Sequence, residues 1–173
     1  MLFQNNIKIN DKKPIGNDHL CFIIAEACDN HLGNIKIAKR MIDEAVLAKA
    51  DAIKFQHHLP DEEMLADIPM SDNFDEPLYD LLSKYSLTLE QHKTLKDYCD
   101  QKGIMYLCTP FSKKAADEID ELVDMFKIGS GELTDIPFLV EVDKKNKPMI
   151  LSTGMSTMED IQEVLEVIKP INN

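Results

Sequence analysis

Short apolar segments alternate with longer segments of helical periodicity along most of this chain, and this order constrains the fold more than any other feature. The apolar segments contain many β-branched and aromatic residues and cover 21–26, 52–56, 105–109, 125–130 and 149–153. The helical segments cover about 34–50, 88–102, 112–122, 135–145 and 157–169. A strict strand–helix alternation predicts an α/β protein with a parallel sheet and right-handed crossovers.

Local signals mark the ends of several predicted helices. Thr88 with Gln91, and Thr157 with Asp160, have the spacing of capping boxes or close variants of them. Gly103 lies directly before a predicted strand, where a glycine commonly ends a helix.

Every predicted strand ends in polar residues, and this feature distinguishes between two parallel architectures. An open doubly wound sheet that binds dinucleotides would carry Gly-x-Gly-x-x-Gly after its first strand, and this chain does not. Polar groups collected at the carboxyl ends of successive parallel strands form the active face of a barrel. The sequence therefore predicts about the first five units of a (β/α)8 TIM barrel. The polar strand-end residues are Glu26, Lys54, Gln56, Thr109, Ser130 and Ser152.

Two segments lie outside the alternation. Residues 1–19 contain an Asn-Asp pair between short apolar runs, which predicts an N-terminal β-hairpin able to cover the bottom of the barrel. Residues 57–87 form a long acidic connection with a short helix near 78–82, and a connection of this length on an active face is typical of a substrate-covering loop. We expect residues 20–173 to form a partial barrel domain.

Composition excludes several classes of protein. The net charge of −12 over 173 residues argues against a nucleic-acid partner. No apolar run approaches the roughly 20 residues that span a bilayer, and the first residues lack the regions of a signal peptide, so we expect no membrane partner and a cytoplasmic location. The four cysteines lack metal-type spacing. Cys21 and Cys108 fall within apolar segments, and we expect both to be buried.

Five motifs, each at the end of a predicted strand, resemble the N-acylneuraminate (sialic acid) synthase family. They are Ile24-Ala-Glu-Ala-Cys-Asp-Asn-His-Leu-Gly-Asn34, Ile53-Lys-Phe-Gln56, Cys108-Thr-Pro-Phe-Ser112, Phe126-Lys-Ile-Gly-Ser-Gly-Glu132 and Leu151-Ser-Thr-Gly-Met155. The resemblance runs from about residue 20 to the last residue. It implies condensation of phosphoenolpyruvate with an N-acetylated hexose to give a sialic- or legionaminic-type acid and phosphate.

A trianionic substrate such as phosphoenolpyruvate needs cations and neutral donors arranged in advance. Lys54 and Lys127 are predicted to point to the inner side of their strands, where an unpaired ammonium group is costly, so their presence indicates an anion. The alternative for each is an ammonium group that reaches solvent at the strand end. Thr109, Ser130 and Ser152 would add hydroxyl donors, or cap the helix that follows.

The resemblance also implies roles for the remaining candidate residues. Glu26 and Glu132 would hold the sugar and transfer protons. Gln56, and Asn73 from the long connection, would contact the sugar. For His31 we favour a structural role that orients its loop over a place on the active face. His57 and His58 are adjacent on an extended segment, so their rings should point in opposite directions and not share a metal ion.

The chain also departs from the family that it resembles. The resemblance implies a divalent metal, Mn²⁺ or Mg²⁺, whose histidine ligands in relatives lie on later strands. We expect strands six to eight to be absent from this chain. We also expect the C-terminal antifreeze-like domain to be absent; in relatives it lends an arginine to the neighbouring subunit, which implies a homodimer. We therefore expect no metal ligands in this chain. Two alternatives remain open: a non-catalytic truncated fragment, and a related synthase making an octulosonate or heptulosonate phosphate.

Overall fold

The computed structural model describes residues 6–9, 14–70 and 75–169. Its strands are β1 (Asn6–Lys8), β2 (Pro14–Gly16), β3 (Ile24–Glu26), β4 (Ala52–His57), β5 (Met105–Pro110), β6 (Phe126–Ile128) and β7 (Met149–Leu151). Its helices are α1 (Ile35–Leu47), α2 (Pro60–Glu63), α3 (Leu78–Tyr85), α4 (Leu89–Lys102), α5 (Lys113–Ile119), α6 (Ile136–Asp143) and α7 (Met158–Ile168).

The five strands β3 to β7 lie side by side in the order of the sequence, and each hydrogen-bonded pair among them is parallel. β3, β4 and β5 form one ladder, and β6 and β7 form a second. β5 and β6 lie side by side, so the two ladders continue one another, and α4, α5, α6 and α7 pack against each other in succession along the outside. The predicted strand–helix alternation with parallel neighbours is confirmed.

The two faces of these strands have different surroundings because successive side chains of a strand point to opposite sides. Phe55, Tyr106 and Phe126 point outward and join the main apolar core with residues of the helices. On the other face, Ala52 and Leu107 are apolar near the amino ends of their strands. Farther along this inner face, Lys54 and Thr109 are polar although both are buried. The inner face therefore changes from apolar to polar toward the carboxyl ends of the strands.

The N-terminal β-hairpin is present as an antiparallel pair in which Asn6 faces Gly16. Its predicted Asn-Asp turn lies outside the described residues. Ile9 and Ile15 pack with Ala52, Leu107 and Met125, which lie toward the amino ends of their strands. The hairpin therefore covers the end of the strands opposite to the polar end.

The helix-end signals are confirmed, and one segment begins later than predicted. Thr88 and Thr157 both form complete capping boxes, and Gly103 ends α4 at a φ of 75°. β3 begins at Ile24, not at residue 21. The backbone N–H of Ile23 donates to the side-chain carboxylate of Asp51 and not to the backbone of a neighbouring strand. The prediction that Cys21 is buried is therefore wrong, since it lies before the strand and is exposed; Cys108 is buried as expected.

The connection after β4 contains more structure than the sequence indicated. The predicted short helix is present as α3, and the one-turn helix α2 precedes it. A proline at the first position of α2, followed by three acids, is a recognisable helix start that the sequence analysis did not use. No helix in the described ranges has both the length and the apolar character to cross a bilayer.

A cluster of histidines is buried between β4, β5 and the helices outside them. His92 of α4 forms a 2.6 Å hydrogen bond with the hydroxyl group of Tyr106. The ring of His57 lies edge-on to His92 at 4.6 Å and hydrogen-bonds to Glu118 of α5 at 2.8 Å. Burial lowers the pKa of His57, and it lowers that of His92 well below its usual range. Both imidazoles are therefore neutral in the folded protein at neutral pH.

We expect His92 to destabilise the fold in acid. The unfolded chain takes up a proton on this residue near pH 6.5, whereas the folded chain does so only at lower pH, so its contribution to stability is lost as pH falls through that range. Each unit by which a pKa is lowered corresponds to about 1.4 kcal/mol. Denaturant unfolding of a His92→Gln variant, which cannot titrate there, should lose less stability between about pH 7.5 and about pH 5 than the unmodified protein.

The matched control is His19→Gln, because His19 is exposed. This variant should follow the unmodified protein at every pH. If His92→Gln loses as much stability in acid as the unmodified protein, His92 is not a source of the acid sensitivity.

Candidate active site

A buried ammonium group lies at the carboxyl ends of β3, β4 and β5. Lys54 is 4% exposed, and its Nζ lies 2.8 Å from Oε2 of Glu26 and donates to the hydroxyl group of Thr109 at 3.3 Å. The parallel register places Glu26 opposite Lys54 and Gln56 opposite Thr109. The structure therefore brings together the candidate residues of the first three predicted barrel strands.

A second ammonium group lies close by, on β6. Lys127 donates through Nζ to the hydroxyl group of Ser152 and to the carbonyl oxygen of Ile128, the latter at 2.7 Å. Burial lowers the pKa of Lys127, and the charge of Lys54 lowers it further. Two like charges that interact in a half-buried place favour the binding of an anion between them.

Glu132 lies in the loop after β6 and faces the same region. Its Oε2 is buried and accepts no hydrogen bond from any residue that the structure describes. Burial raises the pKa of this carboxyl group above its usual value. A β-carbon added to Gly129 would lie 2.1 Å from this oxygen, so the absence of a side chain at Gly129 makes room for the carboxylate.

The remaining candidate residues have fewer contacts with the residues of the site. Ser130 lies beside the loop after β7, since a β-carbon on Gly154 would be 4.0 Å from its side chain. Gln56 is half-buried at the end of β4. Asn73 lies outside the described residues. Within those residues, no three His, Cys, Asp or Glu side chains are placed to hold one metal ion.

The histidines adopt the arrangement that the sequence favoured. His31 is buried, and its Nδ1 accepts a hydrogen bond from the N–H of Gly33 at 3.1 Å, so it orients the loop after β3. His57 and His58 point in different directions: His57 contacts Glu118 outside the sheet, and His58 contacts Asp29 of the loop after β3.

Cys28 is a residue of the site that the sequence analysis did not select. Its Sγ lies 3.7 Å from Oε2 of Glu26, and its φ of 47° turns the chain sharply after β3. Burial raises the pKa of the thiol, so it is protonated at neutral pH. A single cysteine in a loop gives no signal of such a position in the sequence.

The chain is similar to a family model and to several known proteins. The NeuB family model matches residues 41–173. The chain is 34% identical to N,N'-diacetyllegionaminic acid synthase of Legionella pneumophila, over 96% of this chain and 49% of that protein. It is 33% identical to N-acetylneuraminate-9-phosphate synthase of Mus musculus, over 91% of this chain and 46% of that protein.

A solved structure supports the same likeness. The N-acetylneuraminic acid (sialic acid) synthetase of Leptospira borgpetersenii, in complex with citrate, superposes with a TM-score of 0.86 and 30% identity. The match covers 95% of this chain and 55% of that one. The chain spans about half the length of the curated relatives it matches.

The space beside Gly129 leads to a prediction about Glu132. In a Gly129→Ala variant the new β-carbon would displace the flexible end of Glu132 and leave the backbone in place. We expect the fold to be retained and the carboxyl group to move toward water, so that its raised pKa falls toward the ordinary value. Carbon-13 NMR of labelled glutamate carboxyl groups measures that titration.

Gly131→Ala is the matched control, because a β-carbon there has nothing within 4 Å. It should leave the titration of Glu132 unchanged. Equal titration of Glu132 in Gly129→Ala and in the unmodified protein would contradict the packing of this carboxylate against Gly129.

Proposed function

Because the chain belongs to the NeuB family, we propose that the full protein condenses phosphoenolpyruvate with an N-acetylated hexose, giving a nonulosonic acid of the sialic or legionaminic type and phosphate. The acceptor would be N-acetylmannosamine or a diacetamido-trideoxyhexose. The names of the relatives from Legionella pneumophila and Mus musculus support this class of product.

The observation that carries this proposal is the pair of ammonium groups on the inner face. Lys54 is buried and Lys127 is half-buried, and burial together with the charge of Lys54 lowers the pKa of Lys127. Glu26 already pairs with Lys54, and a bound anion beside Lys127 would offset the burial and the repulsion by Lys54 that lower the pKa of Lys127. The phosphate and carboxylate of phosphoenolpyruvate would supply such an anion, and the hydroxyl groups of Thr109, Ser130 and Ser152 would complete their coordination.

The chemistry assigns different tasks to the two carboxylates. Carbon 3 of phosphoenolpyruvate attacks the aldehyde carbon of the open-chain sugar, and water attacks carbon 2. The resulting tetrahedral intermediate then loses phosphate. A proton must reach the sugar carbonyl oxygen, and another must leave the attacking water. Glu132, whose raised pKa favours the protonated form, suits donation to the carbonyl oxygen, while Glu26 is paired with Lys54. Gln56 and Asn73 would hold the sugar.

We propose that the rest of the site comes from parts of the full protein beyond the five β/α units. The order of β3 to β7, with helices on one face, corresponds to the first five units of a (β/α)8 barrel. Such a barrel takes about 250 residues. A Mn²⁺ or Mg²⁺ ion would activate the aldehyde, but the described residues do not offer a set of ligands for it. We also propose that the full protein forms a homodimer in the cytoplasm.

An acceptor screen tests the function. The full-length protein is incubated with phosphoenolpyruvate, Mn²⁺ and one sugar at a time, while released phosphate and product mass are measured. We expect phosphate release with acetamido sugars. Turnover of phosphorylated sugars that lack an acetamido group would instead favour the octulosonate or heptulosonate phosphate chemistry. A full-length protein that turns over none of these sugars would contradict both, and would favour a non-catalytic protein.

Replacing either lysine with methionine should weaken binding of the substrate or of the transition state. Lys54→Met and Lys127→Met each keep an unbranched side chain of similar length and remove its charge. We expect each to lower kcat/KM roughly 30- to 1,000-fold, because a buried charged contact to the anion is lost. This corresponds to a loss of about 2–4 kcal/mol of transition-state stabilisation. Steady-state kinetics with varied phosphoenolpyruvate measures this loss.

Lys144→Met serves as the control for charge alone, because Lys144 is exposed and pairs with Glu141 on the surface of α6. It should retain full activity. Unchanged kcat and KM in both inner-face variants would remove these lysines from the site.

Glutamine substitutions separate proton transfer from sugar binding. Glu132→Gln preserves shape and removes the titrating group, so a proton-transfer role predicts a fall in kcat of roughly 100-fold or more with the fold intact. A residue that only holds the sugar would mainly raise the KM for the sugar, as we expect for Glu26→Gln. Kinetics at saturating phosphoenolpyruvate distinguishes the two patterns, and the exposed Glu90→Gln is the control. No change in either variant would make both carboxylates structural.

A further inference from the structure

His58 follows β4 and is held by a carboxylate on each side of its ring. Its Nδ1 lies 2.8 Å from Oε2 of Glu63, and its Nε2 lies 3.3 Å from Oδ2 of Asp29. The side chain of His58 is 7% exposed and that of Glu63 is 5% exposed. A ring with both nitrogens against carboxylates carries a proton on each, because a carboxylate accepts and does not donate. His58 is therefore a buried imidazolium.

The charge of this imidazolium is stable at neutral pH. Burial alone would lower the pKa of His58, but the hydrogen bonds to Asp29 and Glu63 raise it to about 9. His58 also interacts with His57, His92 and Glu132; the pKa of each of the two histidines is lowered, and that of Glu132 is raised. His58 is thus the positive member of this cluster of histidines up to about pH 9.

The contacts of His58 join loops from three successive strands. Asp29 belongs to the loop after β3, and Glu63 closes α2 and also accepts a hydrogen bond from the N–H of Leu59. The ring of His58 stacks on Phe111, the residue directly after β5, with ring centroids 4.0 Å apart. A change in His58 would therefore act on all three loops at the polar end of the strands.

The same contacts extend to Glu132 in the loop after β6. A β-carbon on Gly129 would lie 3.5 Å from the ring of Phe111 and 2.1 Å from the carboxylate of Glu132, so both side chains approach Gly129. Burial raises the pKa of Glu132 most; among the charged neighbours, Glu63 raises this pKa, and His58 and Lys127 lower it. The imidazolium and its partner carboxylate are thus an opposed pair of charges within reach of Glu132.

We infer that His58, clamped between Asp29 and Glu63 and stacked on Phe111, is a positioning residue that aligns the active-face loops and balances the charge around Glu132. This inference rests on the proposed function, in which Glu132 gives up or takes a proton at the acceptor sugar. It goes beyond that function in assigning a role to His58 and its contacts, none of which has a place in the proposed reaction steps.

Two substitutions with opposite effects test the inference. In the full-length protein with labelled glutamate carboxyl groups, His58→Gln removes the positive neighbour and should raise the pKa of Glu132. Glu63→Gln removes the negative neighbour and should lower it. The double variant His58→Gln/Glu63→Gln should lie between the two. His19→Gln, at an exposed histidine, should change nothing. Thermal unfolding of each variant identifies any that has lost its fold.

The kinetic consequence is measured on the same variants. In His58→Gln we expect kcat/KM to fall on the order of 10-fold or more, since small misplacements of catalytic groups are costly. The pH at which activity changes with the titration of Glu132 should move upward, and it should move downward in Glu63→Gln. A role confined to folding would lower activity and leave this pH unmoved.

The outcomes distinguish the inference from the function on which it rests. Opposite shifts of the Glu132 titration in the two single variants support the inference, and no shift, or shifts of one sign, overturns it. If His58→Gln does not fold, a downward shift in Glu63→Gln supports the inference and its absence overturns it. A full-length protein that titrates as expected but turns over no sugar contradicts the proposed function and leaves the coupling of His58 to Glu132 established.

Discussion

The ammonium group of Lys54 is the constraint on which the polar end of this structure depends. It is almost fully buried on the inner face of the sheet, where a charge is costly unless it is paired. Glu26 and Thr109 approach it from the neighbouring strands, and the parallel register places Glu26 opposite Lys54 and Thr109 two residues farther along, opposite Gln56. The strand ends are therefore arranged around one charge, and Lys127 adds a second ammonium group whose pKa is lowered by burial and by Lys54 and raised by Glu26 and Glu132.

Successive side chains of each strand alternate between the two faces, so the residues that pack against the helices differ from those that form the site. Phe55 and Tyr106 bury large rings against the helices, while Lys54, next to Phe55 in the chain, points to the opposite face. Substitutions in the outer layer therefore act first on folding, whereas substitutions at the polar end of the inner face act on the site. The loops add a third layer, in which His58 connects the segments after β3, β4 and β5 through charge and stacking.

The sequence was sufficient to predict the helices because their start and stop signals are local, whereas the last two strands end at Ile128 and Leu151, earlier than predicted. Capping boxes at Thr88 and Thr157 act within a single turn, and Gly103 ends its helix through its own backbone freedom. The start of β3 was placed too early at Cys21, because the apolar pattern continues to that residue while the hydrogen bonds do not. An apolar pattern indicates which residues prefer burial, and the availability of a partner strand decides which are buried.

The sequence by itself determined that this chain alternates strands and helices, that Lys54 and Lys127 lie on inner faces, and that Glu26 and Glu132 follow strand ends. Only the tertiary structure decided that Glu132 fits against Gly129, that Cys28 lies beside Glu26, and that Asp29, His58 and Glu63 form one charged group. The physical reason is that periodicity fixes the face on which a side chain lies. Contacts between loops depend instead on how the strands are brought together in space, which is not encoded at any one position.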